Sequence, residues 1–402
     1  MTATERFLKY ITVYTDADDN SLTSPSTERQ KDLSNALAEE MKALGLVDVC
    51  VDRCGNAIGT LPATAGVIAP VLALVAHVDT APAASGENVK ARIVPFDGTD
   101  IELGHGAVLS ESRFPAIAAC RGKNLIVTDG STLLGADDKA GIAEIMTTVE
   151  TLIRDNIPHG ELRLIFTTDE EVGRGTEGLD VKELGCQYGY TVDGGPLGEY
   201  EYENFNAAGA RLRFHGVGIH PGEAKNIMVN ASSVAMEFHA LLPAEQVPEK
   251  TEGYEGFIHL TDMKGDVVDA ELLYIIRDHD HELFLQKKAL VQAAADTINA
   301  RYGAGTVECE IRDTYYNMRQ LVEPHMHLIE RIEKAFTACG VTPKRNAIRG
   351  GTDGATLTWM GLPCPNLGTG GYNFHGVHEC IPVESLEAMV QVLCQLVGSF
   401  IE

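Results

Sequence analysis

The stretch LALVAHVDT, Leu72 to Thr80, decides the fold class. Its first five residues are apolar without alternation, so a strand here is covered on both faces. That is the mark of a parallel or mixed sheet lying between helices, not of an antiparallel sheet with one wet face. The run then breaks into a histidine, His77, with an aspartate, Asp79, two positions later. In sheets of this class ligands gather beyond the carboxyl ends of the strands. A His-x-Asp at a strand end is therefore a candidate site.

The neighbouring segments repeat the pattern. Upstream, Leu33, Leu37, Met41 and Leu44 recur at helical spacing before the stop at Gly45, and Ser26-Thr27-Glu28 suits a helix start. VDVCVDR (47–53) and NLIVTDG (124–130) read as strands, with a long loop before the second. KAGIAEIMTTVETLIRDN (139–156) reads as a helix, with Ile142, Ile145, Met146, Val149 and Ile153 on one face. ELRLIFTTDEE (161–171) and YGYTVDGG (188–195) read as further strands. Their ends carry Asp169-Glu170-Glu171 and Asp193. Asp137 and Asp138, in LLGADDKAG, stand where a strand gives way to a helix. One such cluster alone is most simply a helix cap or a wet turn. Four of them at one sheet edge call for a different explanation.

From residue 207 the pattern changes to β-α-β-β-α-β, the order of a split βαβ or ferredoxin-like sandwich, ending near residue 317. The α/β style then resumes. A helix MHLIERIEKAFTACG (326–340) precedes the glycine-rich loop IRGGTDGA (348–355) and the loop GTGGYNFHGVHE (368–379), before a last helix. The expected organisation is an α/β catalytic domain, a mixed sheet with helices on both faces, in two parts (1–206 and 318–402). A ferredoxin-like domain (207–317) interrupts it.

Composition narrows the function. The chain has 402 residues, 44% of them hydrophobic, and 32 Lys+Arg against 58 Asp+Glu, a formal charge of -26. Such a surface repels phosphate backbones, and no basic run offsets it, so no nucleic-acid partner is expected. The longest apolar run, near Val67–Ala76, contains Pro70 and is too short to cross a bilayer, so no membrane partner is expected either. The opening residues lack the apolar core of a secretory leader. Nine cysteines without framework spacing suit reduced thiols and a cytoplasmic location. Cys50 and Cys54 have no further thiol or imidazole nearby in sequence to complete a metal site.

Carboxylates with one imidazole per ion, borne on strand ends, suit zinc, manganese or cobalt. A two-metal hydrolytic site needs about five ligands, one of them bridging, and a further carboxylate as general base. The candidates are His77, Asp137 or Asp138, Glu170, Glu171, Asp193, and a C-terminal histidine, His375 or His378. Neither H-E-x-x-H, G-x-S-x-G nor G-x-x-x-x-G-K-[ST] occurs. Residue types alone leave the paired choices open.

HVDT, LLGADDKAGIAEIM, DEEVGRG, YTVDGG, IRGGTDGA and GYNFHGVHE together resemble the peptidase T family of tripeptide aminopeptidases, within the dizinc exopeptidase superfamily. The resemblance covers nearly the whole chain. It implies two zinc ions per chain, replaceable by cobalt or manganese, and a small peptide as substrate, and it allows a homodimer. His77 and Asp193 would hold one ion, Glu171 and His375 the other, and Asp137 both. Glu170 would be the general base and Asp79 the residue orienting His77. A cis peptide bond after Asp137 is implied as well. His220, in GIHPGEAKN, Arg277, in YIIRD, and Arg349 would contact substrate. Asp138 is left as a helix cap and His378 as a loop residue. A related dizinc amidohydrolase, a dipeptidase or an N-acyl amino acid deacylase, would share these ligands and differ in its substrate pocket.

Overall fold

The computed structural model describes residues 1–401. It divides into two compact units. One comprises Met1–Tyr202, Gln320–Asn346 and the chain from Thr352 onward; the other comprises Glu203–Arg319 with Ala347–Gly351. The short segment 347–351, which the sequence pattern left with the outer domain, thus groups with the inner one.

The first unit is built on an eight-stranded mixed sheet. Its order is Val47–Val51, Ala57–Leu61, Leu162–Thr167, Leu72–His77, Tyr188–Val192, Asn366–Leu367, Glu199–Asn204, Lys344–Ile348. The run from Leu162–Thr167 to Asn366–Leu367 is parallel, and the first two strands join antiparallel. Every residue of Leu72–His77 is buried, as its unbroken apolar run requires. Ala73 and Val75 pack with Ile165, Leu357 and Leu362 on one face. Helix Ala136–Arg154 covers the other, backed by helices Ala3–Tyr10 and Val383–Gly398. That packing depends on Gly141, where an added Cβ would lie 1.9 Å from the Val192 carbonyl oxygen. The parallel register sets His77 beside Thr167 and Val75 beside Thr191. Three neighbouring strands therefore end together.

Three expectations change. NLIVTDG is a strand (Lys123–Val127), but it lies in a separate three-stranded sheet with Arg92–Phe96 and Cys380–Pro382. The supposed long loop before it also holds the hairpin Ile101–Gly104 and Ala107–Leu109. These strands are short and partly exposed, and one carries Pro95, so they leave little periodic signal. In addition, the segment 26–29 is a turn, and the helix begins at Gln30.

The second unit is a four-stranded antiparallel sheet of Phe257–Gly265, Asp269–Asp278, Asn206–His215 and Val307–Tyr315, in that order. Numbered along the chain, the order is two-three-one-four, which is that of a split βαβ sandwich. Helices Ala231–His239 and His281–Tyr302 pack on it through Phe238, Phe284, Val291 and Ile298 against Leu212, Phe214, Leu272 and Ile276. Among the described residues no helix is long and apolar enough to cross a membrane.

Candidate active site

The strand ends of the first unit bring seven of the expected side chains together. His77 is buried. Its Nε2 lies 2.9 Å from Asp137 Oδ1 and 3.6 Å from Asp193 Oδ1. The other Asp137 oxygen, Oδ2, lies 3.1 Å from His375 Nε2. Asp137 thus turns one oxygen to each of two imidazoles. His375 is half exposed and takes a left-handed φ of 64°, which aims its ring back at the carboxylates. Its Nε2 is also 3.1 Å from Glu171 Oε1.

The pairs left open by residue type separate here. Asp138 accepts from the backbone N–H of Gly141 at 3.2 Å, as a helix cap does, but also from that of His77 at 3.2 Å. Its carboxylate is therefore committed to backbone while that of Asp137 faces the imidazoles, although Asp138 lies close to His77 and Asp193. The Asp137–Asp138 peptide bond is cis. His378 faces away, its ring 4.7 Å from that of Phe114. Among the described residues none hydrogen-bonds the Glu170 carboxylate, whereas Glu171 Oε1 lies 3.1 Å from His375 Nε2.

Asp79, fully buried, ties two parts of the site together. Its main-chain oxygen lies 3.0 Å from His77 Nδ1 and its carboxylate Oδ1 3.4 Å from the same nitrogen. Its two carboxylate oxygens accept from the N–H groups of Glu170 and Glu171, each at 3.1 Å.

Burial pushes Glu170 well above the usual carboxylate range. Burial and the charge of Asp137 push Glu171 up to about 7, and the same two causes raise Asp193. The hydrogen bond to Asp137 and the close carboxylate of Glu171 hold His375 up to about 11, and His77 is raised by Asp137, Asp193 and Asp79 against its burial. Among the described residues no lysine or arginine pairs with Asp137, Glu170, Glu171 or Asp193. Among the described residues, protons on the two imidazoles supply the only positive charge within 4 Å of these four carboxylates. Glu171 Oε1 is buried and outside hydrogen-bonding geometry despite its closeness to His375. His77 with Asp137 and Glu171, and His77 with Asp138 and Asp193, each present donor atoms within 4.8 Å of one another. Oxygen and imidazole donors, excess negative charge and an orphaned carboxylate oxygen fit divalent cations, whose binding would displace those protons.

Sequence reasoning missed three supporting groups. Glu379, 1% exposed, accepts from the N–H groups of Leu134, Gly135 and Asp137 at 2.8, 2.9 and 3.1 Å. It ties the loop of His375 to the bend that bears Asp137. Asp353, buried, accepts from Thr167 Oγ1 at 2.7 Å, and burial pushes it up to about 7. Asn366 Nδ2 donates to the Asp193 carbonyl at 2.8 Å and to Glu201 at 2.9 Å. Glu379 stood in the sequence as a landmark four residues after His375; nothing local marked the other two.

His220, Arg277 and Arg349 belong to the second unit. His220 is a turn residue whose Nδ1 accepts from the Gly222 N–H at 3.1 Å. Arg277 lies 5.3 Å from the Tyr315 ring centroid and donates to the carbonyls of Ala208 and Ile276. Arg349 donates to the carbonyls of Thr251, Gly253 and Glu255 and stacks over Phe205. Its guanidinium thus holds the loop 251–255 of the same unit.

Residues 129–399 match the model of peptidase family M20/M25/M40, a span that includes Asp137, Glu170, Glu171, Asp193 and His375. Peptidase T of Parabacteroides distasonis is 48% identical over 401 residues, covering 99% of this chain and 98% of that protein. The crystal structure of the aminopeptidase PepT from Bacillus cereus superposes with a TM-score of 0.77 at 24% identity, covering 99% of this chain and 98% of that one. A dinuclear metal-binding peptidase of the M20 family from Bacillus subtilis superposes with a TM-score of 0.66 at 14% identity, covering 99% of this chain and 98% of that one.

Proposed function

The chain belongs to peptidase family M20/M25/M40, and within it to peptidase T, and from that premise we propose how its residues share the work. It is a metal-dependent aminopeptidase that releases the N-terminal residue of tripeptides. The observation that carries the assignment of roles is Asp137, with one oxygen toward each imidazole. We assign His77 and Asp193 to one ion, Glu171 and His375 to the second, and Asp137 to both, with zinc as the metal. Two such ions, when bound, would polarise the scissile carbonyl and acidify a water.

The remaining steps belong to the chain's own groups. Glu170 is the base: no hydrogen bond competes for its carboxylate, and burial raises its affinity for a proton. It takes the proton of the attacking water and hands it to the leaving amine. Asp79 orients His77 and fixes the Glu170–Glu171 amides. His220 and Arg277 are assigned to substrate by family resemblance, Arg277 as a bidentate partner of the peptide's free C-terminus. Nine free thiols suit a reducing compartment, which we take to be the cytoplasm.

The test is a panel of di-, tri- and tetrapeptides, free and N-acylated, offered to the zinc- or cobalt-loaded protein. Free tripeptides should be cleaved best, after the first residue. Preference for N-acyl amino acids or dipeptides would move the assignment to a sister amidohydrolase.

A further inference from the structure

Glu170 is held only through its backbone. Its carboxylate has no hydrogen bond, and the turn Glu170–Val172 is a single short helical turn. The placement of the base therefore depends on what fixes residues 169–171. Three consecutive amides of that turn end on side-chain oxygens. Those of Glu170 and Glu171 go to Asp79, and that of Asp169 goes to Gln30 Oε1 at 3.0 Å.

Gln30 returns a second bond, its Nε2 donating to Asp169 Oδ1 at 2.7 Å. An acceptor must face the amide and a donor the carboxylate, so the side-chain amide has one orientation that satisfies both. Ser26 adds its N–H to Asp169 Oδ2 at 2.6 Å and its Oγ to Oδ1 at 2.5 Å, and Arg174 Nη2 lies 3.4 Å from Oδ2. Gln30 and Asp169 are both 0% exposed. Asp169 takes a left-handed φ of 62°, a conformation that aspartate tolerates better than most residues and that turns the next two residues toward His77. Asp79 cannot be tested cleanly, because it also holds His77. Gln30 touches no candidate ligand.

We propose that Gln30, at the start of the helix Gln30–Ala43, is a positioning residue for Glu170, acting through the carboxylate and amide of Asp169. The inference rests on the reading of Glu170 as base. Gln30→Met keeps the side-chain length and removes both bonds to Asp169, together with those from Nε2 to Ser26 Oγ and Thr27 Oγ1. The expected result is a fall in kcat of about tenfold or more, with KM and the metal-to-protein ratio within about twofold of wild type. On a Glu170→Gln background the same change should add less than about twofold, because two residues acting through one group are not additive. Ser26→Ala, which removes one donor, should show the same pattern at smaller amplitude and serves if Gln30→Met does not fold. Wild-type kcat in Gln30→Met, loss of metal in proportion to activity, or full additivity with Glu170→Gln would each overturn the proposal. Wild-type kcat in Glu170→Gln alone would instead overturn the assignment of the base, and this inference with it.

Discussion

Glu379→Ala should damage the site without removing a ligand. The wild-type carboxylate accepts three backbone N–H bonds at 2.8, 2.9 and 3.1 Å, all inside the bend Leu134–Asp137. Burial pushes its carboxyl up to about 7, so at pH 8.5 the acceptor is charged. Alanine leaves the three donors without it. A buried donor stripped of its partner costs about 1–3 kcal/mol, so the sum is about 4 kcal/mol after some relaxation. At a urea slope of about 2–3 kcal/mol per molar, the unfolding midpoint of the first unit should fall by more than about 1 M. Glu379→Gln keeps one oxygen acceptor but sets an NH2 against at least one N–H, so its midpoint should fall by less. Displacing the bend moves Asp137, and groups that support ligands in this way are worth about 10–100-fold in metal affinity. Urea melts by far-UV circular dichroism and competition with a chromophoric chelator measure the two effects. Glu379→Ala with a wild-type midpoint and wild-type metal affinity would refute the reasoning.

Other expectations follow from the same geometry. Glu170→Ala should lose most of kcat while keeping its metals, whereas Glu171→Ala should lower the metal-to-protein ratio; elemental analysis showing the reverse means the two assignments are exchanged. Amidating the C-terminus of a tripeptide should lower kcat/KM about tenfold or more, since a charged contact is worth about 1.5–3 kcal/mol; Arg277→Ala should then treat both forms alike, and a wild type indifferent to amidation would remove Arg277 from the substrate. Glu144 lies fully buried in helix Ala136–Arg154 with both carboxyl oxygens unpartnered, and burial holds its pKa well above normal. Its folded state keeps a proton that the unfolded state releases above the usual carboxylate pKa, so it lowers stability increasingly as pH rises. Glu144→Gln should therefore raise the urea midpoint more at pH 8 than at pH 5, and equal gains at both would show that the group is already ionised in the fold.

The sequence carried four of the eight strands of the central sheet, best Leu72–His77 and Leu162–Thr167, which are buried on both faces and announce themselves as apolar runs; Ala57–Leu61, Glu199–Asn204 and Lys344–Ile348 were not read. It also carried the strand-end clusters, since parallel strands must end together. It did not carry Arg92–Phe96, Asn366–Leu367 or Cys380–Pro382, which are too short to show a period. The choice between Asp137 and Asp138 was open to residue type, because both are acids one position apart. In space the two differ: Asp138 accepts from the backbone N–H groups of His77 and Gly141, while Asp137 faces the two imidazoles. Family resemblance supplied the choice in advance, but not the second role of Asp138 on the His77 amide. Supporting groups were the least legible. Gln30 and Asp169 stand 139 positions apart, and nothing in either neighbourhood announces the pair. For Arg349, a charged residue in a glycine-rich loop, the sequence did not show that its Nη1 and Nη2 groups hold the loop 251–255.

The central claim is a pair of ions sharing Asp137. Crystals grown with zinc and measured at the zinc absorption edge test it directly. The account predicts two anomalous peaks per chain, about 3.5–4 Å apart, one beside His77 and Asp193, the other beside Glu171 and His375, with a carboxylate oxygen of Asp137 toward each. A single peak in an active enzyme, or two peaks with Asp138 between them, would contradict it.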